Sequence, residues 1–146
     1  MFQHKYREFV SLASARVAYG RLFSGLFEPG RLPAIVHCTT GKDRTGWAIA
    51  ALQLLLGVPD DEVLDDFLAS NAEIGPVMQP AVDRFVAIGG DAELLEPMVV
   101  VRASYLEIAL DEMGRTFGTI EAYFADGLDL DAASQRRLRE TFVEGD

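Results

Sequence analysis

One cysteine, Cys38, and two histidines, His4 and His37, are all the thiol and imidazole in this 146-residue chain. A single thiol closes no internal disulfide, and one Cys with two His is poor material for a zinc site, so the expected chemistry is metal-free and needs no cofactor. Long apolar runs are missing as well. The longest, Trp47 to Val58, is interrupted by Gln53 and is too short to span a bilayer, so no transmembrane segment is expected. The opening Met1-Phe2-Gln3-His4-Lys5-Tyr6 lacks the charged, apolar and small-residue order of a signal peptide. The expected compartment is therefore the cytoplasm, with export by a route that leaves no signal peptide left open. Internal repeats, low-complexity tracts and linkers long enough to separate domains are also absent. Aspartate does not occur in residues 1–37.

What remains is an ordinary single-domain composition, 49% hydrophobic, which can bury a real core. The net charge of −10 makes nucleic acid a poor partner, and none is expected. It is unevenly spread: residues 1–44 carry seven lysines and arginines against three acids, a net +4, and the remainder carries −14. Positive charge thus concentrates in one segment, which either favours an anionic substrate there while the acidic remainder maintains solubility, or is scattered solvated surface charge.

That basic segment ends in His37-Cys38-Thr39-Thr40-Gly41-Lys42-Asp43-Arg44-Thr45-Gly46. Upstream, Ala34-Ile35-Val36 is short, apolar and partly β-branched, bounded by Gly30 and Pro33, and reads as a buried strand. From Thr45 the pattern reads as helix. The loop between them contains Gly41, with Gly46 just beyond, residues that permit tight turning and close backbone approach. Its amides and the positive end of the following helix make an anion cradle, to which Arg44 adds a guanidinium fork. Thr39, Thr40, Gly41, Lys42, Asp43 and Arg44 are the candidate residues for holding a tetrahedral oxyanion such as phosphate. Cys38 sits beneath that site. The same amides and helix dipole stabilise a thiolate, so its pKa is expected to fall below the ordinary thiol value. Thr45 can donate a hydroxyl hydrogen bond to the sulfur, and His37 can buttress the loop.

These ten residues resemble the signature loop of the protein tyrosine phosphatase superfamily: Cys, five residues, then Arg-Thr-Gly. Within it, His37-Cys38 and Gly41 to Gly46 are similar to the bacterial tyrosine and phosphoinositide phosphatases, of dual-specificity-like type, related to the mycobacterial secreted phosphatase B. The resemblance implies a nucleophile at Cys38, a phosphate clamp at Arg44 and a thiolate-supporting hydroxyl at Thr45, with Gly46 closing the signature. It implies a phosphocysteine intermediate and a phosphotyrosine protein or a phosphoinositide as substrate. Lys42 and Asp43 would then tune substrate choice, since lysine recurs at that position in phosphatases that accept phosphoinositides. Many members take the leaving-group proton from an upstream aspartate. With none in residues 1–37, Asp43 becomes the candidate acid, the alternative being that it orients Lys42 or Arg44 by ion pairing. A non-catalytic phosphate-binding module is the remaining alternative.

Along the rest of the chain, Tyr6, Val10, Ala13 and Val17 recur at helical spacing and Tyr19, Leu22, Phe23 and Leu26 continue them, so residues 5–27 read as one helix ended by Glu28-Pro29-Gly30. Ala48, Ile49, Ala51, Leu52, Leu54, Leu55 and Leu56 surround the helix after the loop, as a central helix requires. Gly57 stops it, and Pro59 opens another with Asp60, Asp61 and Glu62 on its first turn, over 59–71. Residues 72–97, with Gly75, Pro76, Pro80, Gly89 and Gly90, read as a looser region; the family resemblance implies helices over the active site here, and so a lid over the loop, the alternative being an ordinary surface helical hairpin. Met98 to Val101 reads as a loop or edge strand, and Leu106, Ala109, Leu110, Met113 and Phe117 as a helical stripe. Thr119 and Asp131 are expected N-caps of two final helices, 119–126 and 131–143, with a frayed tail beyond Glu144.

The fold expected is α/β and predominantly helical, with one strand before the loop and the parallel sheet of the resembled family largely missing. A lone strand leaves its backbone groups unpaired. Residues 1–146 are therefore expected to be the C-terminal portion of one phosphatase-like domain, or to pair the strand with a second copy or a companion chain.

Overall fold

The structure, a computed structural model, describes residues 2–143, with side chains from His4 onward; the tail beyond Glu144 lies outside the described residues. Its elements are α1 (Phe2–Ser11), α2 (Ala13–Leu26), α3 (Asp43–Leu56), α4 (Asp60–Ala87), a 3₁₀ turn (Ala92–Leu94), α5 (Glu96–Val99), α6 (Ala103–Phe117), α7 (Ile120–Ala122) running into a π turn (Tyr123–Gly127), and α8 (Ala132–Phe142).

Helix α3 is the centre, as its all-round apolar sequence requires. Trp47, Ala48, Ala50, Ala51, Leu52 and Leu55 are buried, and α1, α4, α7 and α8 pack around it. Gly57 ends it in the left-handed region at φ +87°, where its N–H bonds the Gln53 and Leu54 carbonyls. Trp47 is fully buried, and its indole N–H donates to the Tyr123 hydroxyl at 3.2 Å, so the largest core side chain leaves no polar group stranded.

The single helix expected over 5–27 is two. Leu12 is extended (φ −68°, ψ 127°) and turns the chain between α1 and α2. The stripe that begins with Tyr6 and Val10, both fully buried, therefore does not continue: Val17 is 55% exposed. In α2 the buried face is Tyr19, Gly20, Phe23 and Leu26. The break lets α1 pack along α6, with the Tyr6 and Tyr105 rings 5.2 Å apart, while α2 turns toward α8.

Helix α4 runs on through Pro76 and Pro80, where a looser region was expected from residue 72. Its buried anchors, Val63 and Phe67, lie in the first half. The second half is largely exposed, so carbonyls that lose a proline N–H partner face solvent rather than a dry core. Met98–Val101, expected as a loop or edge strand, is loop only from Val100 onward: Met98 and Val99 close α5, and no strand forms there. Asn71 secures that segment to α4, donating to the Val101 carbonyl at 3.0 Å and accepting the Val101 N–H at 2.7 Å. The stripe on α6 and the caps Thr119 and Asp131 are where the sequence places them, the two side chains accepting the N–H of Ala122 and Ser134.

The strand expected at Ala34–Val36 is not formed, and among the described residues the chain has no β-strand. The segment is coil, and Ile35 is 92% exposed rather than buried. Apolar, β-branched composition marks a segment that suits a sheet; with no neighbouring strand to accept its amides it stays coil. No helix among the described residues is long and apolar enough to cross a membrane.

Candidate active site

This coil segment delivers Cys38 to the head of α3, and Gly41, at φ +73°, turns the chain back beneath it. A β-carbon at Gly41 would meet nothing, so the need there is for the left-handed backbone and not for space. Asp43 and Arg44 form the first turn of α3, whose hydrogen-bonding starts with Gly46 N–H to the Lys42 carbonyl at 2.7 Å.

This turn brings the amides of Thr40, Gly41 and Thr45 onto the Cys38 sulfur. Partial burial pushes the thiol up, but the Thr45 hydroxyl and those three N–H groups outweigh it, taking the pKa from its ordinary 9.0 down to about 6. Thr45 Oγ1 is buried and completes no full hydrogen bond of its own, so it is available to the sulfur as charge develops there. Arg44 donates to Thr39 Oγ1 at 2.9 Å, holding its guanidinium across the loop mouth, and His37 Nδ1 lies 3.0 Å from the Cys38 carbonyl.

Cys38, Arg44, Thr45 and His37 share a cavity of about 290 Å³ whose other walls come from Val36, from Phe9 of α1 and from Ala18, Tyr19 and Leu22 of α2. Arg44 also borders a neighbouring cavity of about 540 Å³ with Tyr6, Phe9, Leu12 and Asp43. Lys42 turns away from both. It is 2% exposed and lines a small space of about 110 Å³ behind the loop. The six candidate oxyanion ligands are thus divided, with Arg44 facing the sulfur and Lys42 facing the protein interior.

Two residues that the sequence presents only as apolar helix positions hold the head of α3. The Tyr6 hydroxyl donates to Asp43 Oδ1 at 2.7 Å, and the Tyr19 hydroxyl donates to the Arg44 carbonyl at 3.3 Å. Burial raises the pKa of both phenols, so both remain donors. Their signal in sequence is a tyrosine, rather than a phenylalanine, on a buried stripe. Among the described residues, no three His, Cys, Asp or Glu side chains converge in a way that could hold a metal ion.

The model of a family described as the tyrosine phosphatase family matches residues 1–144. A Cupriavidus necator protein named as a tyrosine-protein phosphatase is 34% identical over 122 residues, covering 82% of this chain and 45% of the relative. The triple specificity protein phosphatase PtpB of Mycobacterium tuberculosis is 29% identical over 147 residues, covering 92% of this chain and 52% of the relative. The chain spans about half the length of these curated relatives.

Proposed function

The chain belongs to the tyrosine phosphatase family, and from that premise we propose that it hydrolyses phosphomonoesters through a phosphocysteine intermediate, with phosphotyrosine in protein as the substrate. One observation carries the reading: three loop amides converge on a thiol lowered to about 6, with Arg44 on the same cavity. The Cys38 thiolate attacks phosphorus, an S–P bond forms as the ester P–O bond breaks, and the oxygen leaves with the electron pair. Water then attacks phosphorus, releasing phosphate and returning the thiolate. Arg44 and the loop amides hold the equatorial oxygens through both steps, which is the main source of rate enhancement expected for such a transfer. Thr45 keeps the sulfur ionised between turnovers.

The walls support an aryl ester. Phe9, Ala18, Tyr19 and Leu22 make one side of the cavity apolar, suited to the ring of phosphotyrosine beneath a charged phosphate. Lys42, the residue that would speak for a phosphoinositide, faces the interior instead. The test is hydrolysis of a phosphotyrosine peptide beside a phosphoinositide, by the unmutated chain and by Cys38→Ser. Turnover of the peptide, lost in Cys38→Ser while inorganic phosphate still binds, is expected. Phosphate binding without turnover in the unmutated chain would show a binding module instead, and faster release from the phosphoinositide would replace the substrate.

A further inference from the structure

Behind the anion loop lies a set of charged and hydroxyl groups that the phosphoryl transfer above does not use. Lys42 Nζ donates to the Pro97 and Val100 carbonyls, both at 3.2 Å, and meets the Asp43 carboxylate at 3.2 Å from Oδ1 and 3.1 Å from Oδ2. Asp43 Oδ1 also accepts the Tyr6 hydroxyl at 2.7 Å, and Tyr6 is fully buried between Phe9, Phe67 and Tyr105. Three separate parts of the fold, α1, the head of α3 and α5 with the segment after it, meet on one ion pair.

Resting on the phosphatase reading, we propose that Tyr6, Asp43 and Lys42 are positioning residues that form a strut between the anion loop, α1 and the 97–100 backbone, so that Lys42 binds no substrate and Asp43 donates no proton. An ammonium has three donors, and here Asp43 and two carbonyls take them. A cation 2% exposed is tolerable only with such partners, and turning it out to a phosphate would leave Asp43 with the Tyr6 hydroxyl and take this donor from both carbonyls. Asp43 is no better placed for acid chemistry. A proton on Oδ2 would face the ammonium, and one on Oδ1 would face two donors. What the strut does reach is Arg44, the next residue along, whose carbonyl is held by Tyr19 from the other side. The guanidinium therefore projects from a turn of backbone fixed on both flanks, which is the preorganisation a phosphate clamp requires.

The test uses the full chain with Tyr6→Phe, Asp43→Asn, Lys42→Met and Lys42→Arg, measured as kcat/KM over aryl phosphates from good to poor leaving groups, with hydrogen exchange read over the segment 97–101, whose exchanging amides are those of Met98 to Val101. Each of the first three should slow every ester by a similar factor, about 10- to 100-fold, as expected for a displaced catalytic group. Exchange at 97–101 should quicken in Lys42→Met and Asp43→Asn, and Lys42→Arg should recover part of both effects. A loss in Asp43→Asn that grows with leaving-group basicity would overturn the proposal by identifying an acid. A Lys42→Met variant that raises KM alone, with exchange unchanged, would overturn it by identifying a substrate ligand. Should Lys42→Met fail to fold, Tyr6→Phe, which removes one hydroxyl, decides: a uniform loss supports the strut and an unchanged series sinks it. If the unmutated chain turns over no aryl phosphate, the phosphatase reading fails by itself, and exchange at 97–101 in the four variants still judges the strut.

Discussion

A thiol lowered from 9.0 to about 6 is mostly thiolate at neutral pH, by about nine parts in ten, which is the state the proposed nucleophile at Cys38 needs. The folded chain holds the anion more readily than the unfolded one. Its contribution to stability is therefore complete above about pH 9 and is lost as pH falls through about 6. Alkylation of Cys38 by iodoacetamide should rise with pH to half its maximum near 6. In Thr45→Ala, which removes one of the groups that lower the thiol, the midpoint should move upward; an unmoved midpoint would assign the shift to the backbone amides alone. Arg44→Ala should cost about 10²- to 10³-fold in kcat with aryl phosphates, the loss typical of one transition-state charge donor. This part of the site is legible in the sequence because ten contiguous residues build it. Tyr6 and Tyr19 are not, because each reaches the loop across more than twenty residues, and periodicity reports the buried ring but says nothing of where its hydroxyl points.

At the level of elements, the helices that read correctly are those with local signals: Gly57 in the left-handed region, and Thr119 and Asp131 accepting amide hydrogens at their helix starts. The misreadings are tertiary. Nothing in Ser11-Leu12-Ala13 announces a break, since Leu12 is an ordinary helix former made extended by the packing of α1 on α6. Pro76 and Pro80 announce a break that exposure to solvent makes unnecessary. Two glycines mark places where elements touch. A β-carbon on Gly20 would stand 2.4 Å from the Leu128 carbonyl oxygen, a backbone atom that has little room to give. Gly20→Ala should therefore destabilise the chain by about 1 to 3 kcal/mol in urea unfolding. Gly46 faces the Phe67 ring, which an added β-carbon would meet at 2.8 Å. Gly46→Ala should lose stability too, and Gly46→Ala with Phe67→Leu should lose less than the two separate costs added together, because the second change removes the clash that the first creates.

At the scale of the whole molecule, the helical core is complete around α3, yet the segment before Cys38 has no layer to join. Among the described residues, no backbone hydrogen bond ties Leu32 to Cys38 to any other part of the chain. Leu32 is 42% and Ile35 92% exposed, in a segment whose composition suits a buried strand. The relatives that match are about twice as long as this chain. These observations favour the proposal that Ala34–Val36 pairs with an extended segment that this copy of residues 1–146 does not contain, whether upstream sequence of a longer phosphatase, a companion chain or a second copy. Such pairing would satisfy the free amides, cover Ile35 and fix the direction from which Cys38 enters its loop. Hydrogen exchange at residues 34–37, followed as protein concentration rises, separates the outcomes. Protection that grows with association, and that Ile35→Lys abolishes while the α3 amides keep theirs, is expected if strand pairing occurs between copies. Protection gained only when an upstream polypeptide is supplied would make that segment the partner. Rapid exchange under both conditions, in a monomer that unfolds cooperatively and hydrolyses aryl phosphate, would mean that an unpaired strand suffices and that the anion loop is held by α1, α2 and α5 alone.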